Sequence, residues 1–186
     1  MKRTFWRVSS FILTCVLVLV AFGQICPKPK AYATLGYKWN TNTIKYFYDN
    51  FNSDRGKSFL RKGIKSWNDR TDDVTIVAGN AGDYDIYCGE TSQVNVGWDG
   101  ITYFQTSGAY FTSVNVLLNT LSDWTWIDDG ALLSVSVHEF GHALGLNHVQ
   151  DEVIMNPITW GLDSRYGTYE LTTPQSDDLN GVNALY

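Results

Sequence analysis

The stretch Thr43 to Tyr48, TIKYFY, alternates apolar and polar positions and predicts a strand. From Asp54 to Asp69 the apolar spacing becomes helical. Leu60, Ile64 and Trp67 recur on one face, and Asn52 or Ser53 can cap the first turn. The opposite face holds Arg55, Lys57, Arg61, Lys62 and Lys65, the pattern of a solvated surface. Val74 to Val77 and Tyr84 to Cys88 read as short strands separated by the turn residues GNAGD. Ile101 to Gln105 and Phe111 to Leu118 read as two more. A second helix is predicted from Asp128 or Asp129, which supply a start signal, through ALLSVSVHEFGHAL. A third is predicted from Thr172 or Thr173, with Pro174 in its first turn and Leu179, Val182 and Leu185 as its buried stripe. Strand, helix, several strands, helix, loop, helix is the order of an α+β domain, a sheet with helices packed on it.

The chain has 186 residues, one domain's worth, without an internal repeat. Its N-terminus stands apart. Lys2, Arg3 and Arg7 precede the apolar run FILTCVLVLVAF, which is short for a membrane span. Ala31-Tyr32-Ala33 then offers small residues at a cleavage site. Residues 1–33 therefore read as a secretory signal peptide and 34–186 as the mature, extracellular domain, with an uncleaved anchor as the alternative. Cleavage changes the charge. Residues 1–33 hold five of the 14 basic residues and none of the 19 acidic ones, leaving nine against 19, net −10. Beyond Arg70 the only Lys or Arg is Arg165. So acidic a body argues against nucleic acid or an anionic membrane as partner, and a soluble monomer is expected. Cys15 and Cys26 leave with the leader, so Cys88 remains without a disulfide partner and reads as a buried strand residue.

The three histidines of the chain, His138, His142 and His148, all fall within HEFGHALGLNH. His138 and His142 are four apart on a predicted helix, so they project from one face and can hold one zinc ion through ring nitrogens. Glu139 follows the first of them, placed as general base towards a water at the metal. Gly145 suits the left-handed turn that ends a helix and lets the chain bring back His148. Three protein ligands with an open fourth position describe a catalytic zinc site. A structural zinc would not need Glu139 and would want a fourth protein ligand.

HEFGHALGLNH followed by Met155 in VIMNP resembles the metzincin metallopeptidases, whose signature is this histidine motif plus a downstream Met-turn. Among them the chain resembles the matrixins. The Met-turn lies close behind His148, and Pro157 follows two residues after Met155. TPQSDDLNGVNALY resembles the last helix of matrixin catalytic domains, and KGIKSWNDRTDDVTI and YDIYCG resemble earlier elements. The resemblance implies a metzincin or zincin-like α+β fold: a twisted, mostly parallel sheet with an antiparallel edge strand and three helices. It implies a secreted zinc-dependent metalloendopeptidase acting on extracellular protein or peptide substrates. His138, His142 and His148 become zinc ligands, Glu139 the base, Met155 a thioether floor, Pro157 part of the pocket wall, and Asp178 a brace for the Met-turn. Two features depart from the pattern. Val149 stands where vertebrate matrixins usually have Ser and other branches other small or acidic residues, and no histidine is left for a second zinc, so one zinc ion is expected. A structural calcium ion is left open through Asp72, Asp83, Asp85, Asp99 or Asp128.

In the implied mechanism an extended peptide lies antiparallel to an edge strand, Ile101 to Gln105 or Phe111 to Leu118. Ile158 to Leu171, with Trp160, Tyr166 and Tyr169, is expected to shape specificity. A second class, a secreted non-catalytic zinc-binding or toxin-like protein of this fold, stays open. A cut after Gly23 is the alternative maturation site. It would leave Cys26-Pro27 on a short pro-segment whose thiolate could occupy the open metal position.

Overall fold

The computed structural model describes residues 32–49 and 52–186. The leader, Cys15 and Cys26 lie outside them, except for Tyr32 and Ala33. In chain order the elements are β1 (Ala33–Thr34), β2 (Thr43–Phe47), α1 (Asp54–Asn68), β3 (Thr75–Ala78), β4 (Ile86–Thr91), β5 (Gly100–Ser107), β6 (Tyr110–Asn119), α2 (Asp123–Ile127), α3 (Asp129–Ala143), β7 (Leu146–Asn147) and α4 (Ser176–Leu185).

Five strands form a mixed sheet in the order β3-β2-β4-β6-β5. Its pairings are parallel except at the edge, where β5 runs antiparallel to β6. A hairpin through Gly108, at φ +59°, makes that reversal. The mostly parallel sheet with an antiparallel edge is therefore as expected, and β5, not β6, is the exposed edge. A second ladder pairs β1 with β7, and the Leu35 N–H extends it to the Gly145 carbonyl at 2.8 Å.

The period-two pattern of β6 puts Val114, Val116 and Leu118 on the core face, with Ile86 and Cys88 beside them on β4. Cys88 is buried and free. Helices α1 and α3 cover this face. They approach closely at Gly63, where a Cβ would lie 2.2 Å from Ser136 Oγ. The Trp67 indole N–H donates to the Val137 carbonyl at 2.9 Å, and the Trp39 indole N–H to Ala143 at 2.9 Å. α3 is buried almost all round, as its sequence without a polar face requires of a central helix.

α3 begins where the start signal puts it. Asp128 is its N-cap, and Oδ1 accepts from the Ala131 N–H at 2.9 Å and from the Tyr166 hydroxyl at 2.9 Å. The Ala131 N–H, helped by the Tyr166 hydroxyl, holds this carboxyl below its ordinary value against the opposing effect of burial. A lowered folded value means stability present above the unfolded pKa and lost as pH falls through the folded one. Asp128→Ala is expected to lower stability by about 1 kcal/mol at pH 7. Urea midpoints check this, and the gap to the wild type should narrow in acid.

The third predicted helix begins later than Thr172 or Thr173. α4 starts at Ser176, with Gln175 as N-cap. Gln175 and Asp178 form a capping box, and the Gln175 N–H donates to Asp178 Oδ2 at 2.7 Å. Pro174 lies buried before the cap instead of in the first turn. Val182 is fully buried, with Leu179 and Leu185 packed partly against the core. The one-turn helix α2 adds to the three expected.

Candidate active site

His138 and His142 stand one turn apart on α3. Helix α3 ends at once after them: the Gly145 N–H donates to the His142 carbonyl at 2.9 Å, and Gly145 takes φ +101°. A Cβ there would lie 2.4 Å from the Tyr37 carbonyl oxygen, so the position excludes side chains on two grounds. The chain then reverses through β7 and delivers His148. Its Nε2 lies 3.1 Å from His138 Nε2 and 3.0 Å from His142 Nε2.

The other ring nitrogens assign the tautomers. His138 Nδ1 lies 2.8 Å from the Ile154 carbonyl and His142 Nδ1 2.8 Å from the Leu146 carbonyl. A carbonyl only accepts, so both Nδ1 atoms carry the proton and both Nε2 atoms are bare. Burial, with the Arg165 charge, pushes His138 well below its ordinary pKa. Burial also lowers His142, and His148 falls to about 4. His138 and His142 therefore aim Nε2 lone pairs at the point that the neutral His148 ring also faces, which suits a cation. Three nitrogens around zinc at 2.0–2.1 Å stand about 3.3–3.4 Å apart in a tetrahedral site, so the triad fits after opening by a few tenths of an ångström. Among the described residues this is the cluster of His, Cys, Asp or Glu groups able to hold a metal.

Glu139 is 5% exposed. It packs against β5, which brings it a hydroxyl: Thr102 Oγ1 lies 2.7 Å from Glu139 Oε2 and 3.0 Å from the Glu139 carbonyl. Gly100 allows this approach, since a Cβ there would lie 2.8 Å from Glu139 Cγ. Burial pushes the Glu139 carboxyl up to about 7, with Thr102 and Arg165 pulling it down and Asp99 adding to the rise.

The Met-turn closes the floor. A Cβ at Gly141 would lie 2.3 Å from Met155 Sδ, which explains a glycine within the histidine motif. Asp178 reaches the turn from α4. Its carboxylate accepts from the Ile154 N–H at 3.0 Å and the Met155 N–H at 3.2 Å. Burial pushes its pKa up to about 6 against these three backbone donors, Gln175 included. A cavity of about 540 Å³ opens over the triad. Its walls include Trp98 to Thr102 and Pro157 to Trp160 with Arg165.

A family model described as Matrixin, of the M10 peptidases, matches residues 38–186. The chain belongs to the matrixin family. It is 28% identical over 167 residues to "Matrix metalloproteinase-C" of Caenorhabditis elegans, covering 81% of this chain and 29% of that protein. It is 30% identical over 178 residues to human "Matrix metalloproteinase-16", covering 84% and 28%. It is 29% identical over 173 residues to "Metalloendoproteinase 1-MMP" of Arabidopsis thaliana, covering 80% and 44%. The chain thus spans less than half the length of these relatives. Membership supports a zinc metalloendopeptidase.

Val149, noted above for its identity, is held through its backbone. Its backbone N–H donates to the Met155 carbonyl at 3.1 Å, a bond any residue but proline makes. Of the aromatics expected to shape specificity, Trp160 lines the cavity. Tyr166 instead binds the α3 cap, and Tyr169 reaches Asp163. Sequence reasoning gave no role to Thr102, Gly100 or Asp99 beside Glu139. Asp99 accepts from the Ser122 hydroxyl, Asp83 pairs with Lys45, and Asp85 accepts from the Lys45 N–H. Four of the five aspartates named for calcium, Asp83, Asp85, Asp99 and the α3 cap Asp128, thus have protein partners; Asp72 is exposed. No helix of the described residues is long and apolar enough to cross a membrane.

Proposed function

We propose that this chain is a secreted zinc-dependent metalloendopeptidase of extracellular proteins, with His138, His142 and His148 as ligands of one zinc ion and Glu139 as general base. One observation carries the reading: the Nε2 atoms of three histidines converge beside a buried carboxyl group at the floor of an open cavity. When bound, zinc supplies a Lewis acid that polarises a scissile carbonyl, acidifies water and stabilises developing negative charge.

The chain's own groups do the rest. β5 offers an edge that pairs with no other strand among the described residues to an extended peptide, so main-chain hydrogen bonds hold the substrate across the cavity. Glu139 takes the proton of the attacking water and returns one to the leaving amine. Its environment suits both duties, because burial raises its proton affinity towards neutrality while the Thr102 hydroxyl holds Oε2 in one orientation. His138 and His142 cannot take this role, since each Nδ1 is committed to a carbonyl.

Residues 1–33 are read as the export signal. A cut after Ala33 would remove one of the two β1 residues from its ladder with Asn147, whereas a cut after Gly23 keeps both.

Casein zymography with and without a zinc chelator tests the function. Cleavage is expected to disappear with the chelator and return on adding zinc. A folded protein that holds one zinc and cuts neither casein nor any member of a peptide library would instead be the non-catalytic zinc-binding protein.

A further inference from the structure

Arg165 is the only Lys or Arg beyond Arg70, and it is 2% exposed in the wall of the cavity. A guanidinium has five N–H donors. Here Nη1 donates to the Asn156 carbonyl at 2.9 Å and Nη2 to Thr159 Oγ1 at 2.7 Å. Both acceptors are neutral. Nε is buried without a protein acceptor, and Arg165 makes no ion pair with any described residue. Burial brings its pKa down to about 10, which leaves it charged at neutral pH. Glu139 and Asp99 act on it electrostatically but from beyond ion-pair distance, and a buried cation without a directly paired carboxylate costs several kcal/mol, so the guanidinium can take a closer anion.

The place of that anion along a substrate follows from the sheet. β5 runs from Gly100 to Ser107, and a peptide pairing antiparallel to its edge runs the other way. Its C-terminal half then lies over Gly100, beside Asp99 and Glu139, the two carboxylates that act on Arg165 in the cavity.

We propose that Arg165 is a specificity-determining residue that selects an acidic side chain, Asp or Glu, immediately after the scissile bond. The inference rests on the peptidase reading above. The Arg165 side chain also braces the loop, since its two bonds tie Asn156 to Thr159. A merely structural role would weaken all substrates alike, so the test compares side chains.

Peptides identical except for Glu, Gln, Leu or Lys after the scissile bond, with the cut mapped by mass spectrometry, are offered to the full chain. The expected kcat/KM for Glu exceeds that for Leu by about 10–100-fold, as one charge-assisted hydrogen-bond pair gives. Arg165→Met should reverse the order, and Arg165→Lys should keep a weaker preference for Glu. The same preference is read without turnover by calorimetry, with product-like peptides that begin with Glu, Gln or Leu. Leu favoured by the wild type in cleavage or binding, or a Glu:Leu ratio unchanged in a folded Arg165→Met protein, overturns the role of Arg165 and leaves the peptidase intact. Absence of cleavage for every peptide and for casein overturns the peptidase reading instead, and the calorimetric comparison still decides on the carboxylate pocket. If Arg165→Met does not fold, the Arg165→Lys ratio decides.

Discussion

Glu139→Gln is expected to keep one zinc ion per chain and wild-type stability while losing about 10⁴-fold in kcat/KM. The amide matches the carboxylate in size, so Val135 and Gly100 still meet the same shape. Its carbonyl oxygen can still accept from the Thr102 hydroxyl, which lies 2.7 Å from Oε2. Stability should not suffer, because burial already makes the charged carboxylate unfavourable there and pushes its pKa up to about 7. What disappears is the ability to take a proton. Metal analysis, thermal melting and cleavage kinetics on the same sample check the three parts. A variant that retains a tenth of the wild-type rate, with zinc bound, would remove Glu139 from the mechanism.

The sequence made this site legible because its chemistry is local. Two histidines four apart on a helix must share a face, and a glycine three residues on must allow a turn. Both statements need only helix geometry. The start of α3 at Asp128 was legible for the same reason, since a side chain caps the N–H three residues ahead. The start of α4 was not. Pro174 looks like a first-turn residue by local rules, but Asp178 binds Gln175 and the distant Ile154 and Met155 together, and that long-range tie sets the boundary. β4 runs on to Thr91, past the Cys88 where the predicted strand ended, for a similar reason: Gly89, Glu90 and Thr91 pair with β6. Arg165 is the clearest limit. Its isolation in the sequence was visible, but burial against Asn156 and Thr159 is a tertiary fact with no local pattern behind it.

Gly145→Ala is expected to destabilise by about 3–5 kcal/mol and to lose zinc as well. Two separate terms add. The backbone at φ +101° lies where a residue with a Cβ is strained by about 1–3 kcal/mol. The new Cβ would also stand 2.4 Å from the Tyr37 carbonyl oxygen and 2.9 Å from Leu185 Cδ1. The first of these is backbone held in place by the Leu35 bond to the Gly145 carbonyl, so it yields poorly. Gly161 supplies the control. It has φ +106°, but a Cβ there would meet nothing within 4 Å, so Gly161→Ala should show the strain alone. The difference between the two variants measures the clash. Only Gly145 lies between His142 and His148, so only its variant should lose metal, as the third ligand is displaced from the other two. Urea unfolding and zinc stoichiometry of both proteins read the two effects. Equal losses of stability, or a Gly145→Ala protein that still binds one zinc at wild-type affinity, would mean that the turn tolerates a side chain and that His148 is positioned by something else.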